Sequence, residues 1–150
     1  MDVRPVRLTD PLVAPLLAGL ATQYEELYGP NGEMAKAAAE EFDPPAGLFV
    51  AVVEDGTIVA GGGFRALTPG VCEVKRMWTH PGHRRRGLAS AVLGELEDRA
   101  RAAGYHAVRL ETGTRQPGAV ALYSGRGYRR IDAYGAYPQA LAFEMDLVSL

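Results

Sequence analysis

The clearest periodic stretch of the chain is residues 88–103. Leu88, Val92, Leu96 and Ala100 recur every four positions, with Leu93 beside them, and this is the stripe of an amphipathic helix. The opposite face offers Glu95–Arg99 and Glu97–Arg101 in the favoured i,i+4 order, and Gly104 supplies a C-terminal stop. Shorter apolar runs at 48–54, 57–65 and 71–78 predict strands. Asp55-Gly56 and Thr68-Pro69-Gly70 separate them as turns, so the three form an antiparallel meander. Gly61-Gly62-Gly63 inside the second strand marks a bulge or a close backbone approach. A strand at 107–111 follows the helix and should lie parallel to 71–78 after a crossover. Residues 117–125 predict a second helix with Pro117 in its first turn; strands at 128–131 and 142–147 close the chain, with 134–139 as the loop between them.

Upstream the signals are shorter. Residues 3–8 predict a strand that Arg4-Pro5 confines to an edge. Thr9-Asp10-Pro11 starts a helix that runs to about Leu20. A second helical piece covers 21–28 and ends at Gly29-Pro30. Residues 33–42 are Ala-rich and helix-prone up to Asp43-Pro44-Pro45. The order of elements predicts an α+β fold: a mixed, mostly antiparallel central sheet with flanking helices and one parallel strand pair in the middle. If that pair splays, the gap is a slot for a narrow ligand.

A chain of 150 residues is most simply one domain, residues 1–150, and 47% hydrophobic with 23% charged residues is ordinary for a globular protein. The net charge of −2 matters less than its distribution. Residues 1–46 hold eight acids and three bases, whereas 75–86 hold five Lys or Arg and no acid. That pattern argues against a general polyanion-binding surface and for one local basic pocket. Cys72 is the single cysteine, so no internal disulfide forms. No signal peptide or membrane span is read, and a cytoplasmic location is the expectation.

The basic run sits where a strand ends and a helix begins. Pro81-Gly82 breaks the chain, Arg84-Arg85-Arg86 follows, and Gly87 precedes the helix. The first N–H groups of a helix have no internal partner, and its dipole favours an anion there. Gly87 lets the backbone approach a ligand closely. A phosphate-bearing ligand at the turn from Arg84 to Ser90 is therefore expected.

Arg84-Arg85-Arg86-Gly87-Leu88-Ala89 fits the pattern (Gln/Arg)-x-x-Gly-x-(Gly/Ala), and Leu110-Glu111-Thr112-Gly113 follows the helix. Ala119-Val120-Ala121-Leu122-Tyr123-Ser124-Gly125-Arg126-Gly127-Tyr128 then fits Ala-x-x-Leu-Tyr-x-x-x-Gly-(Phe/Tyr). In these segments the chain resembles the GNAT superfamily of acyl-CoA N-acyltransferases, firmly over about residues 47–147 and only in element order before that. Gln116 departs from the Asn common in the family three residues before Ala119, with the same functional group.

The resemblance implies acetyl-CoA as co-substrate, no metal, and an N-acetyltransferase working by direct attack in a ternary complex. Backbone N–H groups of Arg85, Arg86, Gly87, Leu88 and Ala89 would cradle the diphosphate, Arg84 and Arg86 would add charge, and Ser90 lies in the same turn. Met77, Trp78 and Thr79 would pair with the pantetheine arm, and Gln116 would contact the cofactor. Glu73 is the candidate general base, acting through a water, and Tyr123 the candidate general acid. Cys72 is discounted as a nucleophile because its neighbour Glu73 should point to the other face. Glu73 could instead pair with Lys75 or Arg76, and Tyr123 could be a core aromatic. His80 and His83 are lesser base candidates, Glu111 could cap the next turn, Trp78 could wall the acyl pocket, and Tyr134 and Tyr137 border the acceptor site.

The implied acceptor is a primary amine of a small molecule or amino-acid-like compound. The acidic early segment mildly favours a cationic one. Dimerisation is compatible with this reading; nucleic-acid and membrane partners are not expected. The alternative from another class is a non-catalytic acyl-CoA sensor.

Overall fold

The structure, a computed structural model, describes residues 2–28, 38–113, 117–135 and 137–147. Among them seven strands form one sheet in the order β1-β2-β3-β4-β5-β7-β6. β1 (Val3–Pro5) is the edge strand that its proline demands, and it is shorter than the sequence predicts. Asp10 caps the next element, its Oδ1 accepting the Leu12 N–H at 2.9 Å, and a 3₁₀ turn (Pro11–Val13) leads into α1 (Ala14–Tyr28). The two helical pieces expected at 11–28 are thus one continuous element. Val13, Leu16 and Leu20 keep a single buried stripe running, and Pro15 sits in the first turn, where its missing N–H breaks nothing. The helix expected at 33–42 falls mostly outside the described residues; Ala39–Phe42 is one 3₁₀ turn that buries Phe42.

β2 (Leu48–Glu54), β3 (Thr57–Thr68) and β4 (Val71–Thr79) form the expected meander. β3 is longer than predicted because Thr68 still pairs with Val71 across Pro69-Gly70. α2 (Leu88–Ala102) crosses over to β5 (Ala107–Thr112), which is parallel to β4. α3 (Pro117–Gly125), β6 (Arg129–Ile131) and β7 (Leu141–Asp146) complete the order, with β7 beside β5 and β6 at the far edge.

Each face of the sheet carries a core. On one, Leu88, Val92, Leu93 and Leu96 of α2 pack with Tyr123 and Tyr128 on Val50, Cys72, Val74, Val108 and Phe143. On the other, Leu16 and Leu20 of α1 pack on Phe49, Ile58 and Trp78. No helix of the described residues is long and apolar enough to cross a membrane.

Two irregularities shape the middle of the sheet. Gly61 pairs with Trp78 but Gly63 with Lys75, so two steps on β3 face three on β4. The extra residue is a β-bulge, and Arg76 within it has φ 61°. The glycine run thus faces a bulge on its partner strand. The second irregularity is the parallel pair: Val71, Cys72 and Glu73 pair with Ala107, Val108 and Arg109, and pairing stops there. β4 runs on to Thr79 and β5 to Thr112 without each other, which is the expected splay.

Gly63→Val tests the close packing over the bulge. A Cβ there would stand 2.7 Å from the Leu48 carbonyl oxygen and 2.8 Å from the Phe42 ring. The expected loss is about 1–3 kcal/mol, read from the denaturant midpoint; an unchanged midpoint contradicts the packing. Cys72 is fully buried, and burial pushes its thiol up to about 12. At pH 8 the folded protein should react with a thiol reagent far more slowly than the unfolded chain. Rapid labelling of the native state would show β4 open to solvent.

Candidate active site

The site begins where β4 leaves β5. Beyond Glu73 the β3 side of β4 stays paired, with Trp78 on Gly61 and Thr79 on Ala60, whereas the β5 side has no strand. Main-chain donors and acceptors of Met77, Trp78 and Thr79 on that side are available to an extended ligand. The bulge at Arg76 bends β4 away and holds the slot open.

The slot leads to the N-terminus of α2. Arg85 and Gly87 both take left-handed φ, at 66° and 75°, which turns the chain tightly before the helix. A Cβ on Gly87 would meet no atom within 4 Å, so the space beside it is open. The helical ladder starts with the Ala91 N–H donating to the Gly87 carbonyl at 3.0 Å. The N–H groups of Leu88, Ala89 and Ser90 precede it and have no acceptor in the helix. Gln116, the remaining expected cofactor contact, lies outside the described residues.

The three arginines of the turn do different things. Arg86 forms a two-pronged pair with Glu54, at 3.0 and 2.6 Å, and also lies 2.7 Å from His83 Nδ1. The Arg86 guanidinium beside Glu54 holds that carboxyl below the usual range. This pair ties the turn to the β2–β3 hairpin. Arg84 and Arg85 are exposed and have no ion pair among the described residues. His80 is a turn support, its Nδ1 accepting the Gly82 N–H at 2.9 Å, with its ring against Trp78 and His83.

Trp78 is a core residue shared with α1. Its indole lies against α1, where a Cβ on Gly19 would stand 2.6 Å from Nε1. Beside it a cleft of about 360 Å³ runs between α1 and the end of β4, lined by Gly19, Thr22, Gln23, Glu26, Trp78 and Arg84.

Glu73 sits at the apex of the splay, only 5% exposed. Its partner is neither Lys75 nor Arg76 but Arg65, directly opposite on β3. Arg65 Nε and one terminal nitrogen donate to Oε1 at 3.2 and 3.1 Å, and the Tyr134 hydroxyl donates to Oε2 at 2.8 Å. The other terminal nitrogen of Arg65 reaches Glu41 at 3.0 Å. A carboxylate offers about four acceptor directions; hydrogen bonds from Arg65 and Tyr134 fill three of them among the described residues, two on Oε1 and one on Oε2. Burial and the charge of Glu73 raise the Tyr134 phenol well above its ordinary range, so it stays a donor. Cys72 points the other way, into the α2 core, and its raised thiol is no nucleophile at neutral pH.

Tyr123 enters from α3. It is 6% exposed, packed on Tyr128 and Phe143 at ring separations of 5.8 and 5.6 Å. Burial, with Tyr24 of α1 adding to it, raises its phenol above the ordinary range. Tyr24 and Arg65 were not singled out from the sequence. Arg65 could have been found by counting back from the Pro69-Gly70 turn, had the irregularity between Ala66 and Thr68 been known. Glu111 caps not the next turn but the β6–β7 loop, its Oε2 accepting the N–H groups of Tyr134 at 3.1 Å and Gly135 at 3.2 Å. Arg109 lies 5.8 Å over the Tyr134 ring and pairs with Glu144 at 2.7 Å. Tyr134 is thus fixed on the base candidate, while Tyr137 is exposed.

Residues 16–128 match the model of the Acetyltransferase (GNAT) family, well over half of the chain. An IAA acetyltransferase of Azospirillum brasilense is 37% identical over 100 residues, 65% of this chain and 65% of that protein. The chain therefore spans a little under two thirds of that relative's length. A solved acyl-CoA N-acyltransferase from Klebsiella pneumoniae superposes with a TM-score of 0.81 at 28% identity, covering 98% of this chain and 97% of its own. An acetyltransferase of Salmonella typhimurium, solved with acetyl-CoA, shares the fold at a TM-score of 0.75 and 16% identity, covering 100% and 95%. With the family match running from α1 through the basic turn before α2 to the end of α3, this chain belongs to the GNAT acetyltransferase family.

Proposed function

We propose that the protein is an N-acetyltransferase that moves an acetyl group from acetyl-CoA to a primary amine of a small molecule. One observation carries this reading: the unpaired edge of β4 runs from the open turn at Gly87 to the buried carboxylate of Glu73. The Leu88, Ala89 and Ser90 N–H groups would hold the diphosphate at the positive end of α2. Arg84 and Arg85 would add charge. When bound, acetyl-CoA supplies the thioester carbonyl that the amine attacks.

The chain's own residues then move two protons. An alkyl ammonium, with a pKa near ~10, has no lone pair and must first lose a proton. Glu73 Oε2 takes it through a water in its remaining acceptor direction. The amine forms the C–N bond, an unpaired N–H of β4 stabilises the developing oxyanion, and the C–S bond breaks as the nitrogen releases its second proton to solvent, from which Tyr123 is later reprotonated. Tyr123, kept protonated by burial, gives its proton to the departing thiolate. Direct attack needs no nucleophile of the chain, in keeping with the raised thiol of Cys72. A reducing, cytoplasmic location belongs to the same reading.

One observation favours the second reading, an acyl-CoA sensor: both oxygens of Glu73 already hold partners. Thiol release from acetyl-CoA across a panel of primary amines separates the two. Amine-dependent release supports the enzyme; tight cofactor binding with no release on any amine supports the sensor.

Gly87→Val should weaken acetyl-CoA binding at least about tenfold, since a left-handed φ costs a β-branched residue roughly 1–2 kcal/mol and fills the open space. Unchanged affinity moves the phosphate site elsewhere. Tyr123→Phe should lower kcat by about 10²-fold with little change in KM for acetyl-CoA. Equal turnover makes Tyr123 a packing residue. Because its phenol is raised, the alkaline fall in kcat should come above the ordinary phenol value of ~10. An alkaline limb near pH 8 contradicts the role.

A further inference from the structure

Ser90, Gly94 and Glu97 fall at i, i+4 and i+7 on α2 and form one stripe along the helix. The side chain of Arg126, just past the end of α3, lies along that stripe. At one end its Nε and a terminal nitrogen donate to Glu97 at 3.1 and 2.5 Å. At the other, its second terminal nitrogen donates to Ser90 Oγ at 3.1 Å. Between them Gly94 has no side chain, and a Cβ there would stand 3.3 Å from the guanidinium.

Several features fix this guanidinium in place. The Glu97 side chain is 6% exposed and also accepts the Tyr128 hydroxyl at 2.9 Å. Arg126 itself is anchored by its backbone N–H, which donates to the Leu122 and Tyr123 carbonyls at 3.1 and 3.2 Å. A buried ion pair is a poor way to gain stability, because desolvation offsets the attraction. Glycine inside a helix is also less favourable than alanine. Both make sense if the position of the guanidinium itself is what matters.

Ser90 lies in the first turn of α2, beside the N–H groups with no helical acceptor. A serine hydroxyl has one proton and two lone pairs. Left alone in a helix, it turns that proton back onto a carbonyl of the preceding turn. By donating to Ser90 Oγ, Arg126 occupies a lone pair and leaves the hydroxyl proton for another acceptor.

We propose that Arg126 is a positioning residue for cofactor binding: held by Glu97, it makes the Ser90 hydroxyl a fixed donor to the diphosphate of acetyl-CoA. The proposal rests on the reading that the N-terminus of α2 holds that diphosphate. It also ties the phosphate turn to α3, the helix that carries Tyr123.

The test compares Ser90→Ala, Ser90→Thr, Arg126→Met and the double variant Ser90→Ala/Arg126→Met. The substrates are acetyl-CoA and S-acetylpantetheine, which lacks the diphosphate. Ser90→Ala and Arg126→Met should each raise KM for acetyl-CoA about ten- to a hundredfold, the worth of one hydrogen bond to a charged group, with kcat nearly constant. The double variant should be no worse than the weaker single one, since Arg126 acts through Ser90. Ser90→Thr, which keeps the hydroxyl, should restore KM, and rates with S-acetylpantetheine should not change. Additive losses, an unchanged KM in Arg126→Met, or an equal loss with S-acetylpantetheine overturns the proposal. If Arg126→Met fails to fold because Glu97 is left unpaired, Ser90→Ala with its Thr rescue and the two substrates decides alone. Gly87→Val separates the two readings. If it weakens acetyl-CoA while Ser90→Ala does not, only the role of Arg126 fails; if neither does, the cofactor site fails with it.

Discussion

The parting of β4 from β5 after Glu73 is the constraint on which the rest of this molecule depends. A sheet normally satisfies every interior N–H and C=O, and leaving one buried without a partner costs about 1–3 kcal/mol. The chain accepts an unpaired edge in the middle of its sheet because the slot is lined by groups that a ligand can satisfy. Three devices hold the strands apart. The bulge at Arg76 bends β4, α1 packs under Trp78, and the crossover through α2 fixes where β5 begins. Polar chemistry collects at the apex of the gap, where the last paired residue of β4 is Glu73.

Charge is partitioned around that gap rather than pooled in it. Of the basic run from Lys75 to Arg86, Arg86 is matched by Glu54. Arg65, on the other side, is matched by Glu41 and Glu73. The exposed pair between Arg86 and Glu54 contributes little to stability, as surface pairs do. Its consequence is geometric: it pins the turn before α2 to a hairpin 32 residues away in sequence. The buried contacts of Glu73 and Glu97 carry more weight, because a carboxylate out of water must have its lone pairs filled. In each, an arginine fork and a tyrosine hydroxyl supply three donors. The two clusters lie on opposite faces of the sheet, one at the splay of β4 from β5 and one on α2.

Local patterns were legible in the amino-acid order, and most of the fold with them. β2 and α3 begin and end where apolar runs, Asp55-Gly56 and Pro117 place them. The stripe of α2 and its stop at Gly104 needed only neighbours within a turn or two. The turn before α2 was equally local, since a strand, a glycine and a helix start lie within a few residues. The break expected after Leu20 was a misreading of a short window: the stripe of Leu16 and Leu20 continues one turn on to Tyr24, packed against the same core.

By itself the sequence determined the order of elements, the meander, the parallel crossover and the tight basic turn that opens α2. All of these follow from periodicity, turn residues and helix ends, which are properties of neighbouring residues. Only the tertiary structure decided which side chain answers which. That Arg65 and Tyr134 share Glu73, that Arg86 is taken by Glu54, and that Arg126 runs along α2 to Ser90 depend on residues 8 to 61 positions apart. Such partners are chosen by strand register, by a one-residue bulge and by the packing of helices across a sheet. A single slip in register moves a side chain to the other face, so no local pattern could have named them.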